Sequence, residues 1–371
     1  DKMDRLIDEI VTVKVKDALA SATSTSVNTV AIVAPSTKQG AAVHVEYDIE
    51  SVKADFDENS AMYKLADAFF REENNPGKLV CIPVQASSSD DENGEPTDAQ
   101  YIAALNAAIV LGKDAKGRKI DFYHVIARKP EDETKEKIIA FASAIQDWCD
   151  ENFKVAHVEM QDRTIAENVA GNFAESTLKR TFFYFHNEDN GRSLAAAIVA
   201  NRCYDDPARG TWAHKSLTSV SSDSTSKDNL KDAQEKGLNI YCEVAGVNRL
   251  FFGSAAGGKH FIDEQIKKDW LKFRVQESIF NLLGQANNGD GIDYNDSGID
   301  SVTAAVTDIF VTAVDQQHRY VLPDSFNVTA PKYADIDVEE KRVRNLPDVK
   351  ATFSIQASIH TVKTVELQVI E

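Results

Sequence analysis

The sequence predicts an α/β fold: a doubly wound, mainly parallel sheet followed by an α+β domain, with extended strand arms at the N- and C-termini. Three observations predict it. Between Val30 and Cys203, short apolar runs alternate with segments whose apolar residues recur every three or four positions, the pattern of β-α units. Beyond Pro207 the style changes to a hairpin and two long helices. Both ends alternate apolar and polar residues: Val11-Thr12-Val13-Lys14-Val15-Lys16 at the front and Val365-Glu366-Leu367-Gln368-Val369 at the back. A period of two marks a strand with one buried face.

The N-terminal arm comprises 1–26, because the small, polar stretch 17–26 reads as a linker. An α/β domain follows over 27–210. Val30–Ala34 is a short buried strand. Ser60–Phe70 is a helix with Met62, Leu65, Ala66 and Phe69 on one face. Leu79–Val84 is a strand, and Ser87–Thr97, rich in Ser, Asp, Glu and Gly, is a solvated loop. Asp98 is placed to cap a helix over Ala99–Leu111. Strands at Ile120–Ala127, Val155–Met160 and Thr181–Phe185 alternate with helices at Asp132–Asp150, Ile165–Phe173 and Ser193–Cys203. Such repetition implies parallel strands with helices on both faces.

The α+β domain covers 211–350. Thr211–Val220 reads as extended, and Lys227–Lys236 as a helix ended by Gly237. Asn239–Ala245 and Arg249–Gly253 form a hairpin. A long helix over Phe261–Leu283 carries Trp270, Phe273, Ile279, Phe280 and Leu282, which suit core packing. A second helix runs from Ser297 to Gln317, a strand covers Phe326–Ala330, and a charged helix over Val338–Leu346 stops before Pro347. The C-terminal arm, 351–371, carries strands Ala351–Ile359 and Val362–Ile370. In the first, Phe353, Ile355, Ala357 and Ile359 alternate with Ser354, Gln356 and Ser358.

Composition narrows the function. Forty-one basic against 59 acidic residues give a net charge of −18, and no long basic stripe exists, so a nucleic-acid partner is not expected. The front is charged and lacks the apolar run of a signal peptide, and no stretch of about 18 apolar residues is present, so no membrane insertion is expected. Cys81, Cys149, Cys203 and Cys242 include no CxxC pair and read as thiols of a reducing compartment.

The enzyme-like motifs are incomplete. Gly253-Ser-Ala-Ala-Gly-Gly258-Lys259 has the spacing of a phosphate-binding loop and lies between a strand and a helix, but His260 stands where a magnesium-binding hydroxyl belongs. Asp293-Tyr-Asn295-Asp-Ser297-Gly298 begins like a calcium loop, yet Ala304 occupies the position of the bidentate Glu, and Asp296 or Ser297 capping the next helix explains the same residues. His157 and Glu159 share one strand face without a visible third ligand. After the first strand comes Pro35-Ser36-Thr37-Lys38-Gln39-Gly40, which is not a dinucleotide fingerprint. No enzyme activity, catalytic group, cofactor or metal site is therefore expected.

The C-terminal third is more specific. Gly258-Lys-His-Phe-Ile-Asp263-Glu264 leads into Asp269-Trp270-Leu271 and Arg274-Val-Gln276-Glu277-Ser-Ile-Phe280-Asn281-Leu282-Leu283. Tyr294-Asn-Asp-Ser-Gly298-Ile299, the run from Asp335 to Pro347, and Ala357-Ser-Ile-His360 follow in order, and Gly210–Lys215 and Asn239–Gly246 are similar in kind. This order resembles the sheath proteins of contractile phage tails, well over about 205–371 and by architecture alone before that. The resemblance implies a structural subunit that polymerises as stacked hexameric rings around a tail tube and contracts to drive the tube through the host envelope during genome ejection. It implies self-association and contacts with the tail tube protein, baseplate and tail terminator, in a virion tail sheath assembled in the host cytoplasm.

In that family, terminal arms of different subunits join in an intermolecular sheet. The residues placed for such strands are Val11, Val13, Val15, Phe353, Ile355, Ile359, Val365, Leu367 and Val369. The pattern alone leaves open whether they pair within or between subunits. Lys341, Arg342 and Arg344 cluster in an acidic chain and form a candidate charged interface, or else a solvated face balanced by Glu339 and Glu340. The alternatives are a nucleotide-dependent enzyme built on Gly253–Lys259 and another non-enzymatic tail or baseplate part.

Overall fold

The computed structural model describes residues 26–36, 42–85, 96–128, 134–175, 179–187, 192–286 and 291–362. Along the first half run β1 (Val30–Pro35), β2 (His44–Glu46), α1 (Ile49–Asp55), α2 (Ala61–Arg71), β3 (Leu79–Val84), α3 (Asp98–Leu111), β4 (His124–Ala127), α4 (Lys135–Asn152), β5 (Val155–Met160), α5 (Arg163–Asn172), β6 (Thr181–Phe185) and α6 (Leu194–Cys203). Then come α7 (Lys227–Lys236), β7 (Leu238–Val244), β8 (Val247–Phe251), α8 (Ile262–Ala286), α9 (Asp296–Val314), β9 (Asn327–Thr329), α10 (Val338–Arg342) and β10 (Lys350–Thr352).

One eight-stranded sheet, in the order β2-β3-β1-β4-β5-β6-β7-β8, organises the molecule. Its six inner strands are parallel, and β2 and β8 close the edges antiparallel. The inner strands read as continuous apolar runs because both faces are buried. In β1, Val30, Ile32 and Ala34 feed one core, while Ala31 and Val33 feed the other. Helices α2, α6, α8 and α9 pack on the first face, and α3, α4, α5 and α7 on the second. Helix α6 is buried from Leu194 through Ala200, as its unbroken apolar sequence requires.

Local chemistry sets the boundaries. Thr97, not Asp98, caps α3: its Oγ1 accepts from Gln100 N–H while the Gln100 side chain accepts from Thr97 N–H, a reciprocal capping box. Asn295, not Asp296 or Ser297, caps α9 by accepting from Gly298 N–H at 3.0 Å. The strand expected from Ile120 starts at His124, because Ile120 N–H bonds Gly112 O and Tyr123 N–H bonds Thr29 O. Thr211–Val220 forms no strand. His214 and Lys215 exchange main-chain bonds with Leu250, and beyond them the buried Glu72 carboxylate accepts from Thr218 N–H at 3.0 Å and from Ser219 N–H at 3.1 Å.

Two expectations change at a larger scale. The boundary after residue 210 falls inside the sheet, since β7 pairs with β6 and β8 extends it. Main-chain pairing makes 30–251 one continuous unit, on which α8, α9 and 320–362 form an added layer. The single strand expected over Ala351–Ile359 is replaced by the three-residue β10, paired with β9, and one bridge between Ile355 and Val321. The turn between those partner segments, where Asp324 has φ 59° and Ser325 Oγ donates to Leu322 O, interrupts the ladder.

A polar chain crosses the first core. Tyr184 O–H lies 2.9 Å from His157 Nδ1, His157 Nε2 lies 3.0 Å from His124 Nδ1, and His124 Nε2 lies 2.9 Å from Val27 O. One consistent arrangement has each donor pointing toward Val27, with both imidazoles neutral. Trp212 stacks on His157 with ring centroids 5.3 Å apart and donates its indole N–H to Pro207 O. Burial lowers the His124 pKa to about 3 and holds His157 well below its ordinary value.

The folded state therefore binds fewer imidazole protons than the unfolded chain. For His124 this contribution to stability is complete above about pH 6.5 and is lost as pH falls toward 3, and the lowered pKa of His157 acts in the same direction. Urea midpoints should fall across that window, and the NMR resonances of the His124 imidazole should remain those of a neutral ring to about pH 4. Trp212→Ala, which opens a cavity beside His157, should cost about 3–5 kcal/mol by urea denaturation.

Candidate functional site

The C-terminal segment is tied to the body in three places. Leu322 N–H bonds Ser354 O at 2.9 Å, and Gln356 N–H bonds Tyr320 O at 2.8 Å. Lys267 of α8, a buried cation, donates to Asp263 Oδ2 at 2.6 Å and to Gln356 O at 2.8 Å. At the far end His360 lies edge-on to Phe261, its Nε2 is 2.7 Å from Thr211 Oγ1, and its carbonyl accepts from His214 Nε2 at 3.0 Å. A strap thus crosses the start of α8.

The residues placed for intersubunit strands take different positions. Ile355 is half-buried at its bridge with Val321, and Phe353 is exposed at its rim with its ring 5.1 Å from Phe310. Ile359 is 83% exposed and Val362 71% exposed, so the strap ends in apolar side chains facing solvent. Val11, Val13, Val15, Val365, Leu367 and Val369 lie outside the described residues, as does the linker 17–25.

The glycine-rich loop before α8 is a packing device. A Cβ on Gly257 would stand 2.3 Å from Ala174 O, and one on Gly253 would stand 2.8 Å from Trp212 Cβ. Three of its amides are already bonded: Ser254 N–H to Asn239 Oδ1, Ala255 N–H to His260 O and Gly258 N–H to Ala255 O. A phosphate cradle needs such amides free and convergent. The loop begins after Phe251 on an antiparallel edge strand, not after a parallel inner one. Likewise, Asp296 of the calcium-like stretch accepts from Tyr333 N–H at 2.7 Å and ties the 333 turn to α9.

The cationic cluster is split. Lys341 Nζ sits 4.4 Å from the Tyr333 ring centroid, and Arg342 pairs with Glu339 at 2.8 Å one turn away. Arg344, with φ 60°, is exposed beyond the helix. His157 and Glu159 share a strand but serve separate contacts: His157 joins the polar chain, while Glu159 accepts from Ser193 Oγ and Ala195 N–H at the start of α6. The four thiols are buried and free, and burial raises their pKa values, Cys242 to about 11.

The added layer is anchored by a contact the sequence did not disclose. Asp269 of α8 accepts two hydrogen bonds from the Arg180 guanidinium, at 2.6 and 2.9 Å, and one from Tyr123 O–H at 2.7 Å. Burial opposes the guanidinium charge, but the facing Asp269 carboxylate prevails and raises its pKa. Partners 89 residues apart leave no local spacing to read. A second missed cluster, His44, Glu46 and Asp55, did carry a local signal, a His-x-Glu pair on one strand face.

No family model matches the chain, and no curated protein matches its sequence. Solved structures do match. The anti-feeding prophage (AFP) helical sheath in the contracted state aligns with 97% of this chain and 98% of its own, with TM-score 0.58 and 12% identity. The chain has the fold of a contractile sheath subunit. The AFP baseplate in the contracted state aligns similarly, over 97% of this chain and 96% of its own, with TM-score 0.57 and 12% identity. Because the match runs almost end to end, the sheath fold includes both the eight-stranded sheet and the layer built on α8.

Removing Arg180 leaves the buried Asp269 carboxylate without its cation, and removing Asp269 leaves the buried Arg180 only the half-exposed Asp150 at 3.1 Å. Asp269→Asn or Arg180→Met should each cost about 3–5 kcal/mol, and the double substitution should recover much of it. Equilibrium denaturation of the four proteins measures the coupling directly.

Proposed function

We propose that the chain is a structural subunit of a contractile injection apparatus, polymerising as a sheath of stacked hexameric rings around an inner tube. The observation that carries this reading is the end-to-end likeness to the AFP helical sheath. The site chemistry agrees with it: the loop with nucleotide-binding spacing has its Ser254, Ala255 and Gly258 amides already bonded and its glycines packed close to neighbouring backbone. Subunits of this kind act through association, and contraction needs only a second packing of the same bodies with lower free energy.

In this proposal, 1–26 and the chain beyond the strap at His360 reach neighbouring subunits, while Phe353, Ile355 and Ile359 lie in the strap tied to their own body. The β9–β10 ladder has only three residue pairs, and among the described residues no further strand pairs with it. Its outer edges offer main-chain donors and acceptors to an added strand, and the alternating Val11–Lys16 and Val365–Val369 segments have the pattern for that role. Lys341, Arg342 and Arg344 then face acidic surface on a neighbour or the tube, which would offset part of the net charge of −18 per copy. The tube protein, baseplate and tail terminator complete the set of partners, in the tail of a phage or of a phage-derived particle assembled in the host cytoplasm. A sheath-like position in the baseplate is the second reading, favoured by the AFP baseplate match.

Electron microscopy of the concentrated protein tests the first reading: regular hollow tubes or stacked rings support it, and a persistent dispersed monomer overturns it. Single rings that never stack would favour the baseplate. Deleting residues 1–20 should abolish stacking while leaving the urea midpoint of the body within about 0.5 kcal/mol of the parent in stability. Reversing the charges of Lys341, Arg342 and Arg344 should make assembly weaker and differently dependent on salt. Assembly unchanged from low to high salt would remove that interface.

A further inference from the structure

His44, Glu46 and Asp55 bring an imidazole nitrogen and two carboxylate oxygens within 4.8 Å of one another at the β2 edge of the sheet. The local sequence builds this cluster. His44 and Glu46 project from the same face of β2, and the short connection through Asp48, whose side chain accepts from Ser51 N–H at 2.7 Å, starts α1 so that its last residue, Asp55, returns beside the strand. The His44 ring is set edge-on against Phe56, with centroids 5.7 Å apart.

Glu46 supplies the independent observation. Its side chain is wholly buried and faces the Asp55 carboxyl group, and among the described residues no N–H or hydroxyl donates to either of its oxygens. Its nearest cationic groups, His44 Nδ1 and Arg118 Nη1, stand at 3.5 Å, outside good hydrogen-bond distance. A buried carboxylate without a donor is costly, and pairing or metal coordination is the usual resolution.

We propose that His44 Nδ1, Glu46 Oε1 and Asp55 Oδ2 form a binding site for a zinc-class divalent cation. Ligands at zinc bond lengths in a tetrahedron lie about 3.3 Å apart. Here His44 Nδ1 is 2.9 Å from Asp55 Oδ2 and 3.5 Å from Glu46 Oε1, so small adjustments admit the ion. The imidazole selects zinc-like ions over calcium and magnesium, which prefer all-oxygen shells. Three protein ligands leave the fourth position to water, and the bound ion clamps α1 to the edge strand. Lys116 Nζ, 3.4 Å from Asp55 Oδ2 on an exposed side chain, competes with the ion for that oxygen, while Arg118 is held aside by Asp114 at 2.6 Å.

The test uses the full chain stripped with a chelator and titrated with Zn²⁺ by calorimetry and thermal melting. One Zn²⁺ per chain and a rise in melting temperature are expected, with no comparable response to Ca²⁺. Glu46→Gln and His44→Gln should each weaken binding by more than the ~10–100-fold typical of losing an outer-sphere partner. Lys116→Ala should tighten it. No zinc uptake by the stripped parent, or equal uptake by the parent and both Gln variants, overturns the site. Should Glu46→Gln fail to fold, the half-buried His44 and exposed Lys116 variants decide through their opposite directions.

Discussion

Asp269 is the point on which the architecture turns. Its carboxylate, buried under α8, takes the guanidinium of Arg180 ahead of β6 and the hydroxyl of Tyr123 ahead of β4. Two segments of the parallel sheet are thereby locked to one helix. The geometry is bidentate, which fixes orientation as well as distance. Everything beyond the sheet hangs on α8: α9 packs along it, and Lys267, two residues before Asp269, holds the carbonyl of Gln356 in the strap. The desolvation of these charges is offset only while all partners are present, so the joint is all-or-none.

This construction concentrates stiffness in the middle of the molecule. The inner sheet is covered on both faces, and its histidine pair is neutral and satisfied across the core. The adaptable groups lie at the periphery: the short β9–β10 ladder, the solvent-facing Ile359 and Val362, and the exposed Arg344. Short ladders tolerate exchange of partners far better than a long inner strand does, because each added pair is a small increment.

Much of the fold was legible because its signals are local. The apolar runs at Val30, Leu79, Val155 and Thr181 become inner strands with both faces buried, and the 3.6-residue pattern of Met62, Leu65, Ala66 and Phe69 becomes α2. Gly237 ends α7 with φ 72°, a conformation that favours glycine. Errors of one residue at the caps of α3 and α9 arose because neighbouring Thr, Asp, Asn and Ser are all competent caps, and only the backbone decides which one reaches its amide. Of the candidate groups, those with local spacing, such as Gly253–Lys259, were found, but spacing carries no information on whether an amide is already bonded.

The sequence by itself determined the type and order of most elements, the two-faced sheet and the acidic surface, because each follows from periodicity or composition within a few residues. Only the tertiary structure decided that β7 and β8 join the first domain's sheet, that 211–220 answers to Glu72 instead of a strand, that Ala351–Ile359 breaks after Thr352, and that His44, Glu46 and Asp55 converge. These outcomes depend on partners distant along the chain or on the direction of a short turn. The winner among several chemically adequate partners is set by where the whole backbone places them, which no local window contains.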